Sequence, residues 1–174
     1  MTNEVLQCLE TRRSIRSFKS DMVEKEKLEA VIKAGSFAAS GRNRQAGIII
    51  AVTDPAVRNK ISKMNAEIMG TPDEDPFYGA PVIFIVLANR AVPTYVYDGS
   101  LVIGNMMNAA HSIGLGSIWI HRAKQEFESE EGKALLKEWG IEGDYEGIGH
   151  LALGYINGDY PNTLPRKDNR IFWV

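Results

Sequence analysis

Hydrophobic and polar positions along this chain follow two rhythms, one of helical spacing and one of short unbroken apolar runs. After Asn3, the residues Val5, Leu6 and Leu9 recur three to four apart, which predicts a short amphipathic helix with Cys8 on or near it. From about Glu24 to Ala38 the residues Leu28, Val31, Ile32 and Gly35 keep one face apolar or small while lysines and glutamates fill the other, predicting a second helix. Gly47 to Thr53 is β-branched and too short for a helix, so it predicts a buried strand. Val57, Ile61, Met64 and Ile68 trace the next helical stripe, with its methionines as core filler. Gly70 to Gly79 is polar and holds Pro72 and Pro76, predicting a loop that is free to move. Pro81 to Ala88 is hydrophobic throughout, the mark of a strand covered on both faces. A helix from about Asp98 to Ile113 is apolar nearly all round and belongs at the centre or at a subunit interface. Gly116 to Ile120 predicts a third strand, Glu128 to Trp139 an acidic solvated helix, and Gly149 to Ile156 a fourth strand.

Helices between successive strands indicate an α/β or α+β sheet sandwiched by helices. With 174 residues and no visible linker, repeat or low-complexity stretch, residues 1–174 form a single domain. The tail from Gly158 to Val174 ends in Ile171-Phe172-Trp173-Val174, which is too apolar for a free end and predicts docking, with a partner subunit as one candidate.

Composition narrows the function classes. The net charge of −2 argues against a general nucleic-acid binder, which carries a basic face. The single cysteine excludes an intramolecular disulfide and any multi-thiolate metal site within one chain, and it fits a reducing cytoplasm. The N-terminus lacks the charged start and apolar run of a signal peptide, and no apolar stretch approaches the roughly 20 residues that span a bilayer, so neither export nor a membrane is expected.

Against that mildly acidic background, Thr11 to Lys19 places four positive charges and no acid in nine residues. Arg12, Arg13 and Arg16 offer planar donor forks suited to phosphate, with the Ser14 hydroxyl beside them; a solvated basic turn is the other reading. A second basic cluster, Arg166 to Arg170, lies near the C-terminus and could converge on the same anion or lie wet on the surface. Ala38 to Gln45 combines small residues, amides and guanidiniums directly before a strand. Asn43 and Gln45 can both donate and accept, as the edge of a heterocycle requires, although an ordinary connecting loop has the same composition. His121 lies just past a strand's C-terminal end, where ligands of open sheets collect, whereas His150 is expected to be structural. Neither a G-x-G-x-x-G turn opening a helix nor a G-x-x-x-x-G-K-[ST] loop is present. His111, His121 and His150 have no metal-ligand spacing, so no metal is expected. No Ser-His-Asp or Cys-His arrangement is readable.

Taken in order, these pieces resemble the FMN-dependent nitroreductase family. Arg12-Arg13-Ser14-Ile15-Arg16 is similar to its N-terminal phosphate and ribityl motif, and Ala39-Ser40-Gly41-Arg42-Asn43-Arg44-Gln45 to its A-P-S-G-x-N-x-Q loop. Ala80 to Val86 resembles the central strand, Gly114 to Ile120 the glycine-rich strand that passes the flavin, and Pro165-Arg166-Lys167 the basic C-terminal motif. The resemblance implies an α+β fold (α/β sandwich), with a central mixed, mainly antiparallel sheet flanked by helices. It implies an intertwined homodimer with FMN at the interface and the tail embracing the partner. It further implies an FMN-dependent oxidoreductase that passes hydride from NAD(P)H to an acceptor such as a nitroaromatic or quinone; a flavin store, carrier or redox sensor of the same fold is the alternative. By the same resemblance Arg12, Arg13, Ser14 and Arg16 hold phosphate and the ring's pyrimidine edge, and Arg166 and Lys167 complete the phosphate site. Ala39, Ser40, Gly41, Asn43 and Gln45 form the second cofactor-binding segment, with Ser40, Gly41 and Asn43 coming from the other subunit. Trp119, Ile120, His121 and Arg122 bring backbone near the ring.

Three departures bear on the pocket. Ala39 stands where proline is common, and Gln45-Ala46-Gly47 where Gln-Pro-Trp is common, which removes an aromatic wall. His121 and Arg122 replace acidic or glycine residues, a change expected to favour anionic substrates or a reduced, anionic flavin. The excursion over the active site is expected to be limited to about Ala66 to Gly79, with Phe77, Tyr78, His121 and Arg122 as pocket-lining candidates.

Overall fold

The computed structural model describes residues 1–174. Its elements are α1 (Glu4–Thr11), α2 (Lys25–Ser36), β1 (Gly47–Val52), α3 (Pro55–Met69), β2 (Val82–Asn89), α4 (Tyr95–Ser112), β3 (Gly116–Ile120), α5 (Ala123–Glu128), α6 (Glu130–Glu138) and β4 (Tyr145–Gly154). The strands form one sheet in the order β1-β2-β4-β3, every neighbouring pair antiparallel. Along β2 the side chains alternate faces as pleating demands. Ile83, Ile85 and Leu87 join a core under α3, α5 and α6, while Val82, Phe84, Val86 and Ala88 join a second core under α2 and α4. Helices therefore cover both faces, and seven of the eight residues of β2 are buried.

Local chemistry sets most boundaries. Asp54 caps α3 by accepting from the Ala56 and Val57 amides, Pro55 opens its first turn, and Gly70 closes it in the left-handed conformation at φ 84°. The helix thus runs on through Ala66 to Met69, and the excursion expected from about Ala66 starts only at Gly70. The single helix expected from Glu128 to Trp139 is a shorter helix, α6, preceded by a separate one, α5; between them Ser129 is extended and caps α6 through the Gly132 amide at 3.0 Å. Strand β4 begins four residues earlier than its apolar run, because Ile148 is accommodated by a bulge opposite Val86/Leu87 and Glu146 is neutralised by Lys124 at 2.9 Å and Arg90 at 3.1 Å. His150 consequently lies in the middle of β4.

After α1 the chain is stitched to the β3 side of the sheet. Ser14 forms a lone parallel bridge with Ser117, Phe18 an antiparallel one with Ile156, and Ile15 and Phe18 are buried. Residues 157–174 lack regular structure and are exposed, including Ile171, Phe172, Trp173 and Val174. The amphipathic face of α1 also fails to find cover within the chain, with Val5 67% and Leu9 52% exposed. No helix is long and apolar enough to cross a membrane.

Candidate functional site

The arginine segment is held rigidly by its small and apolar members. Ile15 donates its amide to Ser117 O at 3.1 Å, Lys19 to Tyr155 O at 2.9 Å, and Asn157 to Ser17 O at 3.1 Å, so both ends of the segment are tied to β3 and to the chain leaving β4. Arg13 turns back to donate to the carbonyls of Glu10 and Arg12, both at 2.7 Å, neutralising orphan acceptors at the end of α1, and reaches Thr163 Oγ1. Its amide donates to Tyr160 Oη at 2.8 Å, and that hydroxyl lies 3.3 Å from His111 Nδ1, while Thr11 Oγ1 lies 2.9 Å from His111 Nε2. Arg12 Nη1 and Arg13 Nε are buried donors that no group of the chain satisfies. Buried donors of this kind are rarely left unpaired, and a guanidinium paired by an anion is the strong version of the bond.

Where β3 ends, a depression of about 270 Å³ opens between Arg16, Trp119–Arg122 and the 70–79 loop. His121 is exposed and Arg122 is partly buried in the left-handed conformation at φ 80°. The loop wall is anchored by Asp75. Burial alone would push this carboxyl up, but bonds from Arg58 Nη2 at 2.5 Å, Ser62 Oγ at 2.7 Å and the Gly79 amide at 2.8 Å hold it below its ordinary value. The loop expected to be free is therefore tied down. Of its two candidate lining residues, Tyr78 is 40% exposed at the depression, whereas Phe77 is fully buried against His150 and belongs to the core.

The loop before β1 is a separate construction. Gly41 to Asn43 form one 3-10 turn, and Arg42, Asn43 and Gln45 all have positive φ. The turn is closed by Gln45 N donating to Ser40 Oγ at 3.1 Å and by Gln45 Nε2 donating to Asn43 Oδ1 at 3.1 Å. Gly41 donates to the buried Asp98 at 3.0 Å, and any side chain there would strike Thr94, its Cβ falling 2.4 Å from Thr94 Oγ1. Ala38, Ala39, Ser40 and Gln45 border a cavity of about 350 Å³ that runs to Asp98 and Val102 of α4. Left-handed residues other than glycine persist only where surroundings impose them, and they cluster at ligand sites.

Within one chain these constructions do not meet. The loop leads into β1 and the arginine segment adjoins β3, at opposite edges of the sheet and so about 14 Å apart by strand spacing alone. Arg166 and Lys167 are exposed and make no hydrogen bond or ion pair. Sequence reasoning missed Asn65, which is fully buried in α3 and bonded to His121 O at 2.9 Å and Arg122 Nε at 2.9 Å. Its signal was visible, a polar residue four positions after Ile61 on the apolar face of that helix.

Comparison with known proteins gives a consistent picture. The family model described as Nitroreductase family matches residues 9–155. A putative NADH dehydrogenase/NAD(P)H nitroreductase of Archaeoglobus fulgidus is 29% identical over 87% of this chain and 85% of its own length. An FMN reductase [NAD(P)H] of Bacillus subtilis is 31% identical over 67% of this chain and 53% of its own. Among solved structures, a nitroreductase with bound FMN from Bacteroides fragilis superposes with a TM-score of 0.90 at 26% identity, covering 99% of this chain and 100% of that one. Another with bound FMN, from Desulfitobacterium hafniense, superposes at 0.87 and 28% identity, covering 100% of both chains.

Proposed function

Because the chain belongs to the nitroreductase family, we propose that it is an FMN-dependent NAD(P)H oxidoreductase, acting as a homodimer on a small acceptor such as a nitroaromatic or a quinone. The observation that carries the reading is the buried, unsatisfied pair Arg12 Nη1 and Arg13 Nε, on a segment tied to the strand whose end carries Trp119 to Arg122. An FMN phosphate is the kind of anion such donors fit, and the depression for a ring is lined by Arg16 of the same segment.

FMN supplies the hydride chemistry when bound, so the protein needs position and charge more than an acid–base pair. Arg12 and Arg13 hold the phosphate, with Ser14 beside them. Arg16 and Arg122 give the depression cationic side chains, with His121 beside them, offset by Glu74 and the already paired Asp75. The reduced nicotinamide and the acceptor occupy that face in turn, which agrees with the absence of a Rossmann fingerprint. The second half of the site, Ala39 to Gln45, comes from the partner subunit. Its position at the far sheet edge supports this, as do the uncovered face of α1 and the exposed apolar tail. In that dimer Arg166 and Lys167 reach the partner's phosphate.

An absorbance spectrum tests the reading. The purified protein should carry flavin bands that NADH or NADPH bleaches and an added quinone or nitroaromatic restores. Bands that neither nicotinamide bleaches would make it a carrier or store, and the absence of any FMN binding would remove the reading altogether.

A further inference from the structure

A chain of buried polar contacts runs from the centre of the sheet to the turn that faces the depression. His150 on β4 is fully buried, with Phe77 and Phe127 rings at 5.3 and 6.4 Å. Its Nε2 lies 2.8 Å from Glu126 Oε2, too oblique for a well-formed hydrogen bond, and Glu126 is itself fully buried on α5. The other carboxylate oxygen, Oε1, accepts from Asn65 Nδ2. The same Nδ2 donates to His121 O at 2.9 Å, and Asn65 Oδ1 accepts from Arg122 Nε at 2.9 Å. The Glu126 amide closes the loop by donating to Arg122 O at 3.0 Å. Gly147 brings β4 so close that any side chain there would meet Ala123 O, so the start of α5 is packed directly against the sheet beside the turn.

Arg122 needs such support. It sits at φ 80° and ψ 0°, a left-handed conformation that a residue with a β-carbon adopts only when its surroundings hold it. One amide grips both its guanidinium and the preceding carbonyl. Every polar atom of the Asn65 amide is thereby engaged, and none of its partners is solvent.

We propose that Asn65 is a positioning residue, holding the His121–Arg122 peptide and the Arg122 guanidinium at one fixed distance from bound FMN and so setting its reduction potential. The proposal rests on the FMN reading above. A cation held near the ring favours the reduced, more negative form, whereas a cation free to swing into water is screened. Asn65 touches no ring itself, and its effect on the potential passes through the Arg122 guanidinium, whose starting point the held 121–122 peptide fixes.

The test compares the full-length, FMN-loaded protein with Asn65→Ala, Arg122→Ala and the double variant. FMN affinity is measured first by fluorescence quenching, and then the midpoint potential by equilibration with a reference dye. Asn65→Ala should bind oxidised FMN within about threefold of the parent. Its preference for reduced over oxidised flavin should fall about tenfold, a potential about 30 mV more negative for a two-electron couple. The double variant should shift no further than Arg122→Ala alone, since both act through one group. A potential unchanged in Asn65→Ala, or additive shifts in the double variant, overturns the proposal. Should Asn65→Ala fail to fold, Arg122→Lys asks the question from the exposed end, because lysine retains the charge but has no Nε to reach Asn65. A parental potential in Arg122→Lys overturns the proposal equally, and a negative shift of at least half that of Arg122→Ala supports it. A parent that binds no FMN would instead defeat the underlying reading and leave the potential undefined.

Discussion

At His111, burial first and then the neighbouring Arg12 and Arg13 disfavour the charged imidazole, holding its pKa below the ordinary 6.5. Both ring nitrogens have hydroxyl partners, Thr11 Oγ1 and Tyr160 Oη, which can donate or accept, so the neutral ring is well accommodated. A histidine whose folded pKa is depressed contributes stability that is present above 6.5 and lost as the pH falls through the folded value. An FMN phosphate on Arg12 and Arg13 would offset the two cations and raise that pKa. The expected outcome is an imidazole NMR titration of His111 with a midpoint below 6.5 in flavin-free protein, moving upward on FMN addition; a midpoint indifferent to FMN would place the phosphate elsewhere. The same contact implies that Arg12→Ala loses a charge-assisted bond, so FMN affinity should fall by about 10- to 100-fold, read as loss of the flavin bands on gel filtration. Full flavin occupancy in Arg12→Ala would return the arginine segment to an ordinary basic turn.

At the scale of elements, the 70–79 loop illustrates how a polar stretch is made rigid from a distance. Its proline and acidic residues suggested mobility, but Asp75 accepts from Arg58 and Ser62 of α3 and from the amides of Phe77 and Gly79, while Arg58 Nε donates to Ala80 O at 3.0 Å. Asp75→Ala would leave Arg58, whose side chain is only 12% exposed, without its carboxylate. The expected cost is about 2 kcal/mol, or roughly 4–8 °C in Tm for a chain of this size, with faster proteolysis between Gly70 and Gly79. Because the folded carboxyl is held below its ordinary 3.8, the parent should lose this contribution on acidification below that value, and Asp75→Ala should lack that part of the acid transition. An unchanged acid profile would mean that the loop is held by other contacts. The anchor illustrates which features were readable beforehand. Runs such as Val82–Leu87 and stripes such as Val57, Ile61 and Met64 were legible because burial imposes a period on the sequence. The six residues of α5 hold one large apolar side chain and follow no period, and β4 begins at Tyr145 only because Arg90 and Lys124, distant in sequence, neutralise Glu146. The arginine segment and the Ser40 loop were legible as motifs; Asn65 showed only as a polar residue on an apolar stripe and Asp75 as one acid among several, because the meaning of each lies in partners up to 61 positions away.

At the scale of the molecule, a single chain carries the arginine segment and the Ser40 loop at opposite edges of one sheet, a helix whose apolar residues face outward, and a tail ending in four exposed apolar residues. Trp173 alone is 96% exposed, an arrangement that water disfavours unless a second copy covers it. The root of the tail is already fixed, since Tyr160 donates to Thr11 O at 3.0 Å and Arg13 reaches Thr163, so the segment beyond Thr163 leaves the body from a set point. Two truncations separate what that segment does. Ending the chain at Arg170 removes only Ile171 to Val174, the apolar clasp, and retains Arg166 and Lys167. Ending it at Asn157 removes both, together with Tyr160 and Thr163. In sedimentation the parent should run at twice its 19.3 kDa chain mass. The shorter cut should raise the dimer dissociation constant while sparing FMN affinity at saturating protein, because Arg166 and Lys167, the proposed phosphate partners, remain. The longer cut should weaken FMN by about tenfold more, as two cations and the support of Arg13 go with it. A parent that sediments as a monomer while holding FMN fully would show that one chain completes the site by itself, and the Ser40 loop would then have to serve some other ligand.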